Sequence, residues 1–324
     1  MSVGVLLVNL GTPAAPNPRA VRRYLAEFLS DPRVVEIPRP VWLPILYGAV
    51  LTTRPGKSAE AYRQIWTEAG SPLLAISLRQ QAALSERLGD SVVVGLEMRY
   101  GRHGIDTALS RMIDLGGVDR LLFAPLYPQY CAATTASAND ALFAALAPMR
   151  AQPALRTLPP YYDDPLYIDA LKANLERQLT QLDFEPQKLL LSFHGMPERT
   201  RELGDPYYDQ CLETARLLSK ALNREVDVSF QSRFGRAKWL EPATDATLAG
   251  YAREGIESVA IAAPGFSADC LETLEELGIR GRETFLSAGG KKFALLECLN
   301  DSPEGIDMLE QLIVRELAGW LPPT

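Results

Sequence analysis

Two histidines occur in the sequence, His103 and His194, and they stand in different company. His194 closes the run Leu189-Leu190-Leu191-Ser192-Phe193 and precedes Gly195 and Pro197. An imidazole at the end of an apolar strand, just before a glycine turn, can project outward as a neutral base or a metal ligand near pH 7. A buried histidine hydrogen-bonded to backbone is the other reading of that position. His103, in the polar segment Gly101-Arg102-His103-Gly104, reads as an exposed loop residue.

A second source of chemistry is the acid-rich segment Ser267-Ala268-Asp269-Cys270-Leu271-Glu272-Thr273-Leu274-Glu275-Glu276-Leu277, with Ser267 or Asp269 placed to cap a helix. Asp269, Glu272 and Glu276 are spaced i, i+3, i+7, so an α-helix puts them on one face and Leu271, Leu274 and Gly278 on the other. On an ordinary surface helix such a row is a solvated acidic face. At a ligand edge it lines a site. A neutral imidazole facing a row of carboxylates suits two tasks, holding a divalent transition metal and removing protons.

Basic residues follow an apolar stretch elsewhere. Arg54, Lys57 and Arg63 can hold ligand carboxylates, or they belong to a solvated helix start. The stretch before them, Pro40–Leu51, is either a buried helix or an apolar lip exposed to a greasy ligand or a membrane surface. It falls far short of the roughly 20 apolar residues that span a bilayer.

Strands must position these groups. Six short runs rich in Val, Leu, Ile and Phe are continuous rather than alternating, as in a parallel sheet covered on both faces. They are Val3–Leu10, Val92–Tyr100 and Arg120–Leu126 in the first half, and Lys188–His194, Val226–Arg233 and Ser258–Ala263 in the second. Helical stretches separate them, so the class is α/β with βαβ units. The two sets end alike: Asn9-Leu10-Gly11-Thr12-Pro13 matches Phe193-His194-Gly195-Met196-Pro197, Met98-Arg99-Tyr100-Gly101 matches Ser232-Arg233-Phe234-Gly235, and Ala124-Pro125 matches Ala263-Pro264. A duplicated lobe follows, not a solenoid. Ligands of open parallel sheets lie beyond the carboxyl ends of the strands. That rule selects Asn9, Arg99, Tyr100, Tyr127, His194, Ser232, Phe266 and Asp269, gathered in a cleft between two similar lobes.

Composition narrows the classes. A chain of 324 residues suits two domains of about 150 residues each, here divided as 1–157 and 158–324, with the last helix able to pack back on the first lobe. The net charge of −7 argues against a general nucleic-acid partner. Four dispersed cysteines, with no C-x-x-C pair and no signal-like leader, lead us to expect a cytoplasmic protein with reduced thiols. No strand is followed by a dinucleotide or P-loop fingerprint, and neither a zincin motif nor a nucleophile elbow is present.

Five motifs in order resemble the ferrochelatases: Leu7-Val8-Asn9-Leu10-Gly11-Thr12-Pro13, Ser192-Phe193-His194-Gly195-Met196-Pro197, Gly204-Asp205-Pro206-Tyr207-Tyr208, Phe230-Gln231-Ser232-Arg233-Phe234-Gly235, and Pro264 through Glu276. The resemblance implies two Rossmann-like lobes, each a four-stranded parallel sheet flanked by helices, enclosing a porphyrin cleft. It implies insertion of ferrous iron into protoporphyrin IX to give protohaem, the final step of haem biosynthesis. His194 and Glu272 would face the metal, with either one as iron ligand or proton acceptor, and Asp269 and Glu276 would extend an acidic path. Arg99, Tyr100, Tyr127, Trp239 and Phe266 would line the pocket, with Tyr62 and Ser71 near the substrate. Pro40–Leu51 would be a lip meeting the inner face of the membrane. Leu10 stands where enzymes resembling the coproporphyrin-using branch carry tyrosine, which favours protoporphyrin. Some relatives hold a 2Fe–2S cluster on C-terminal cysteines; here the last cysteine is Cys298, so no cluster is expected and iron enters only as substrate. The rivals are a chelatase for a sirohydrochlorin-type ring and a non-catalytic haem carrier.

Overall fold

The computed structural model describes residues 2–101, 104–233, 235 and 237–321; His103 lies outside them. The chain forms two compact units. One holds the residues up to Tyr127, Cys131–Pro159 and the segment from Ile306; the other holds Pro128–Tyr130 and Pro160–Gly305.

In the first unit, β1 (Ser2–Gly11), β2 (Val92–Tyr100), β3 (Val118–Pro125) and β4 (Ala154–Thr157) form one sheet in the order β2-β1-β3-β4. The second unit repeats that order as β6-β5-β7-β8, with β5 (Lys188–His194), β6 (Asp227–Gln231), β7 (Ser258–Ala262) and β8 (Lys292–Leu295). All pairings are parallel. The six expected strands are all present. The two further ones, β4 (ALRT) and β8 (KFAL), are four residues long and lie at sheet edges, with one neighbour each. Four residues give too short an apolar run to stand out, so their signal is weak.

Each sheet is covered by helices that bury one apolar stripe. Leu6, Val8, Leu121 and Phe123 pack with Leu109, Met112 and Leu142 in the first unit. Leu190, Val259 and Ile261 pack with Leu248, Leu277 and Phe285 in the second. Burial of each such side chain is worth about 1.5–3 kcal/mol. Gly11, which ends β1, and Gly195, which follows β5, have a common cause: a Cβ on Gly11 would lie 1.9 Å from the Tyr100 carbonyl oxygen, and one on Gly195 would lie 2.4 Å from that of Gln231. Both turns press against the neighbouring strand.

Residues 39–50 resolve the two readings of the apolar stretch by dividing it between two faces. Trp42 and Leu46 are buried, and the Trp42 indole N–H donates to the Leu29 carbonyl at 2.6 Å. Val41, Ile45 and Tyr47 are 55%, 45% and 50% exposed. No described helix is long and apolar enough to cross a membrane.

The helix Pro303–Glu316 buries Ile306, Leu309, Leu312 and Ile313. Arg87 pairs with Asp307 and Glu310, Arg156 stacks 4.2 Å from the Trp320 ring and donates to the Ala318 carbonyl, and Arg120 donates to that of Trp320.

Candidate functional site

At the carboxyl end of β5, His194 is half-buried and its Nδ1 lies 2.7 Å from the Gly195 carbonyl oxygen. A carbonyl can only accept, so Nδ1 carries the proton. In the neutral ring Nε2 then keeps its lone pair, the atom that a base or ligand needs. Next to it, Trp239 forms a strand-like bridge with Pro197, and its ring carbon Cε3 lies 3.4 Å from where a Gly195 Cβ would be. Phe266, half-buried after β7, packs on the second unit's core.

The acid-rich segment departs from the α-helix that its spacing predicts. Residues Leu271–Gly281 form a π-helix of 11 residues, and such wide turns concentrate at functional sites. The change of pitch re-sorts the faces. Its buried residues are Thr273, Glu275, Leu277 and Gly281, whereas Leu271, Leu274 and Gly278 are only half-buried. The cap is Cys270, in a reciprocal pair with Thr273, instead of Ser267 or Asp269. Burial, and then the charge of Glu272, push the Cys270 thiol well up, which keeps it protonated.

The three expected acids have three different fates. Asp269 lies before the helix, is 3% exposed, and accepts hydrogen bonds from Thr273 Oγ1, Asn300 Nδ2 and the Cys298 N–H. It anchors the helix start. Glu276 accepts from both the N–H and the hydroxyl of Ser232, with Arg280 3.7 Å away. Glu272 is half-buried, its main-chain carbonyl held by the Gln231 side chain. Ser232 has φ +67°, a left-handed conformation uncommon for a residue with a side chain, and Glu276 holds it there.

In the first unit the strand-end polar groups are engaged with one another. Asp31 accepts from Arg99 Nη2 at 2.7 Å, Tyr100 Oη at 2.7 Å and Ser137 Oγ at 2.6 Å. Burial alone would raise the Asp31 carboxyl, but the hydrogen bonds from Ser137, Tyr100 and the Arg33 N–H, with the Arg99 charge, bring it below its ordinary value. Tyr100 is 1% exposed, and burial first of all pushes its hydroxyl far up. Arg99 also donates to the Ser137 carbonyl and stacks on the Tyr100 ring at 4.3 Å, which makes it a structural cation. Tyr62 (6% exposed) packs edge-on against Trp66, and Ser71 (4%) accepts from the Thr12 hydroxyl; both have little surface to offer a substrate. Leu10, Arg54 and Tyr127 are half-buried.

Three residues of these networks were not assigned a role from sequence: Gln231, Asp31 and Ser137. Gln231 had a signal, since Asp227, Ser229 and Gln231 alternate with the apolar Val228 and Phe230 in this strand. Asp31 had none beyond an acid after a helix. Among the described residues, no group of three or more His, Cys, Asp or Glu side chains is placed to hold a metal ion.

A family model described as Ferrochelatase matches residues 2–317. Similar curated proteins include the ferrochelatase of Rhizobium meliloti, 52% identical over 98% of this chain and 96% of its own length. That of Mesorhizobium japonicum is 50% identical over 98% and 92%, and ferrochelatase 2 of Shewanella oneidensis is 53% identical over 96% of each. Among solved structures, SirB from Bacillus subtilis with Fe3+ aligns with a TM-score of 0.61 at 11% identity, covering 99% of this chain and 97% of that one. The sirohydrochlorin chelatase SirB with cobalt aligns at 0.57, also at 11% identity, covering 99% and 97%. At that identity the likeness shows the fold alone, which is the chelatase fold of two four-stranded parallel sheets flanked by helices.

Proposed function

The chain belongs to the ferrochelatase family, and from that premise we propose how its residues divide the work of inserting ferrous iron into protoporphyrin IX. It is an enzyme of the porphyrin metal chelatase type, with iron as a substrate of haem synthesis. Metallation exchanges one Fe2+ for the two pyrrole N–H protons, so the protein must supply a base whose lone pair points outward and a route for two protons.

His194 is the proton acceptor. The observation that carries this is its hydrogen bond to the Gly195 carbonyl, which fixes the proton on Nδ1 and leaves Nε2 bare at the strand end. Glu272, beside the Cys270 thiol and not held by Ser232 or Arg280 as Glu276 and Glu275 are, takes protons onward or meets the iron. Glu276 joins that path only by releasing Ser232. Trp239 and Phe266 supply apolar surface for the macrocycle in the second unit. Leu10, Arg54 and Tyr127 serve as substrate contacts of the first, and Leu10 favours protoporphyrin by offering no hydroxyl.

Val41, Ile45 and Tyr47 are exposed, and their apolar side chains support a reading in which a cytoplasmic enzyme sits on the inner face of the membrane, where its apolar substrate partitions. Iron serves only as substrate and the chain holds no cluster; all four cysteines are buried, and Cys270 caps a helix.

The test is anaerobic incubation with ferrous iron and protoporphyrin IX, following loss of free-porphyrin fluorescence. Acceleration over a protein-free control is expected, and its absence would end this reading. A haem carrier would give a stable Soret complex without faster iron incorporation.

A further inference from the structure

We infer that Gln231 is the positioning residue that sets Glu272 against His194, a role that rests on the reading of those two residues as the chemical pair. The side-chain carboxamide of Gln231 is 3% exposed and fully oriented: Oε1 accepts from the Ser192 hydroxyl at 2.8 Å, and Nε2 donates to the Glu272 carbonyl at 2.8 Å. Its main-chain carbonyl accepts from the Gly195 N–H at 2.8 Å, and the Gly195 carbonyl in turn takes the His194 Nδ1 proton. One residue therefore grips both arms of the site, the histidine through its backbone and the glutamate through its side chain.

The surroundings stiffen that grip. Ser192 also bonds Thr244 at 2.9 Å, and Thr244 bonds Ser229 at 2.9 Å, so the carboxamide is backed by a buried hydroxyl chain between β5, β6 and the following helix. Register pairs His194 with Gln231 directly across the two strands. A π-helix begins with carbonyls whose partners are displaced relative to an α-helix, and Gln231 fastens one of these in the first turn. Buried amides with both ends satisfied fix orientation, and a displacement of about 1 Å at a reacting group can lower a rate about 100-fold.

The experiment is a double-mutant cycle with a pH arm. Gln231→Met, nearly isosteric but without the two side-chain hydrogen bonds, should lower kcat about 100-fold while the porphyrin KM moves by less than about threefold. Gln231→Glu offers a donor only when its buried carboxyl is protonated, so its kcat relative to the parent should fall as pH rises. That arm stands even if the methionine variant folds poorly. In the Glu272→Ala background, Gln231→Met should cost little more. A full additional loss there, or a parental kcat in Gln231→Met, would overturn the positioning role while leaving the pair intact. Full activity of Glu272→Ala alone would instead remove the reading on which it rests.

Discussion

The two units share a strand order and place polar residues at the same sheet edge, yet use them in opposite ways. In the first, the charges close on one another: Asp31 takes three side-chain hydrogen bonds and Arg99 holds Asp31, Ser137 and the Tyr100 ring. In the second, hydrogen bonds hold the frame of the site instead: His194 is fixed through Nδ1, and Glu272 through its main-chain carbonyl. A duplicated scaffold thus yields one edge whose charged groups neutralise one another and another where the imidazole of His194 keeps a lone pair for chemistry. The difference lies in which atom of each residue is bonded.

Substitutions should separate the two edges by what they change. His194→Ala should lower the iron-insertion rate by about 100- to 10,000-fold, the range for a lost general base, with an unchanged melting temperature. A comparable fall in stability would blur the contrast. Asp31→Ala should do the reverse, leaving Arg99 partly buried without its carboxylate at a cost of about 3–5 kcal/mol in denaturant unfolding. The same pair has a pH signature. Because the folded-state value of Asp31 is lowered, its stabilisation is present above the ordinary carboxylate range, about 3.9, and is lost as pH falls through the lowered value. Asp31→Asn should remove that acid-side slope from a plot of stability against pH, and a slope identical to the parent's would exclude Asp31 as its source.

Smaller effects refine the second edge and the lip. Ser232→Gly and Ser232→Ala both lose the hydroxyl bond to Glu276, but glycine takes a φ of +67° without strain. The glycine variant should be more stable than the alanine variant by about 1 kcal/mol; equal stability would mean that the turn relaxes once the hydroxyl is gone. Val41→Ser with Ile45→Ser should weaken partition onto anionic liposomes while leaving turnover of detergent-dispersed porphyrin intact. Trp42 and Leu46 are unsuitable for that test because they are buried.

What the amino-acid order disclosed follows from burial. Strands covered on both faces must be apolar throughout, so six were legible, and the paired endings disclosed the duplication. β4 and β8 were hidden because each is only four residues long and carries a basic residue, Arg156 and Lys292 respectively. His194 was legible because a strand end fixes where its side chain goes. The acid row was only partly so: a period of 3.6 residues groups Asp269 with Glu272 and Glu276, but the chain turns more widely there, and nothing in the residue types announces the change. The partners of Tyr100 were hidden for a related reason. A strand-end position specifies where a side chain starts, and only the fold shows that Asp31 and Ser137 meet it first.

The allocation of the segment from Ile306 to the first unit bears on how the chain is made. A ribosome adding about 5–20 residues per second completes the second unit before the helix Pro303–Glu316 is available, leaving the first without that helix for roughly 10–30 s. During that interval Arg87, Arg120 and Arg156 have no docking partners from the final segment, and the surface awaiting Leu309 and Leu312 is open to chaperones. The helix Pro303–Glu316 therefore completes the packing of the first unit only after the residues of the second, His194 among them, have been synthesised.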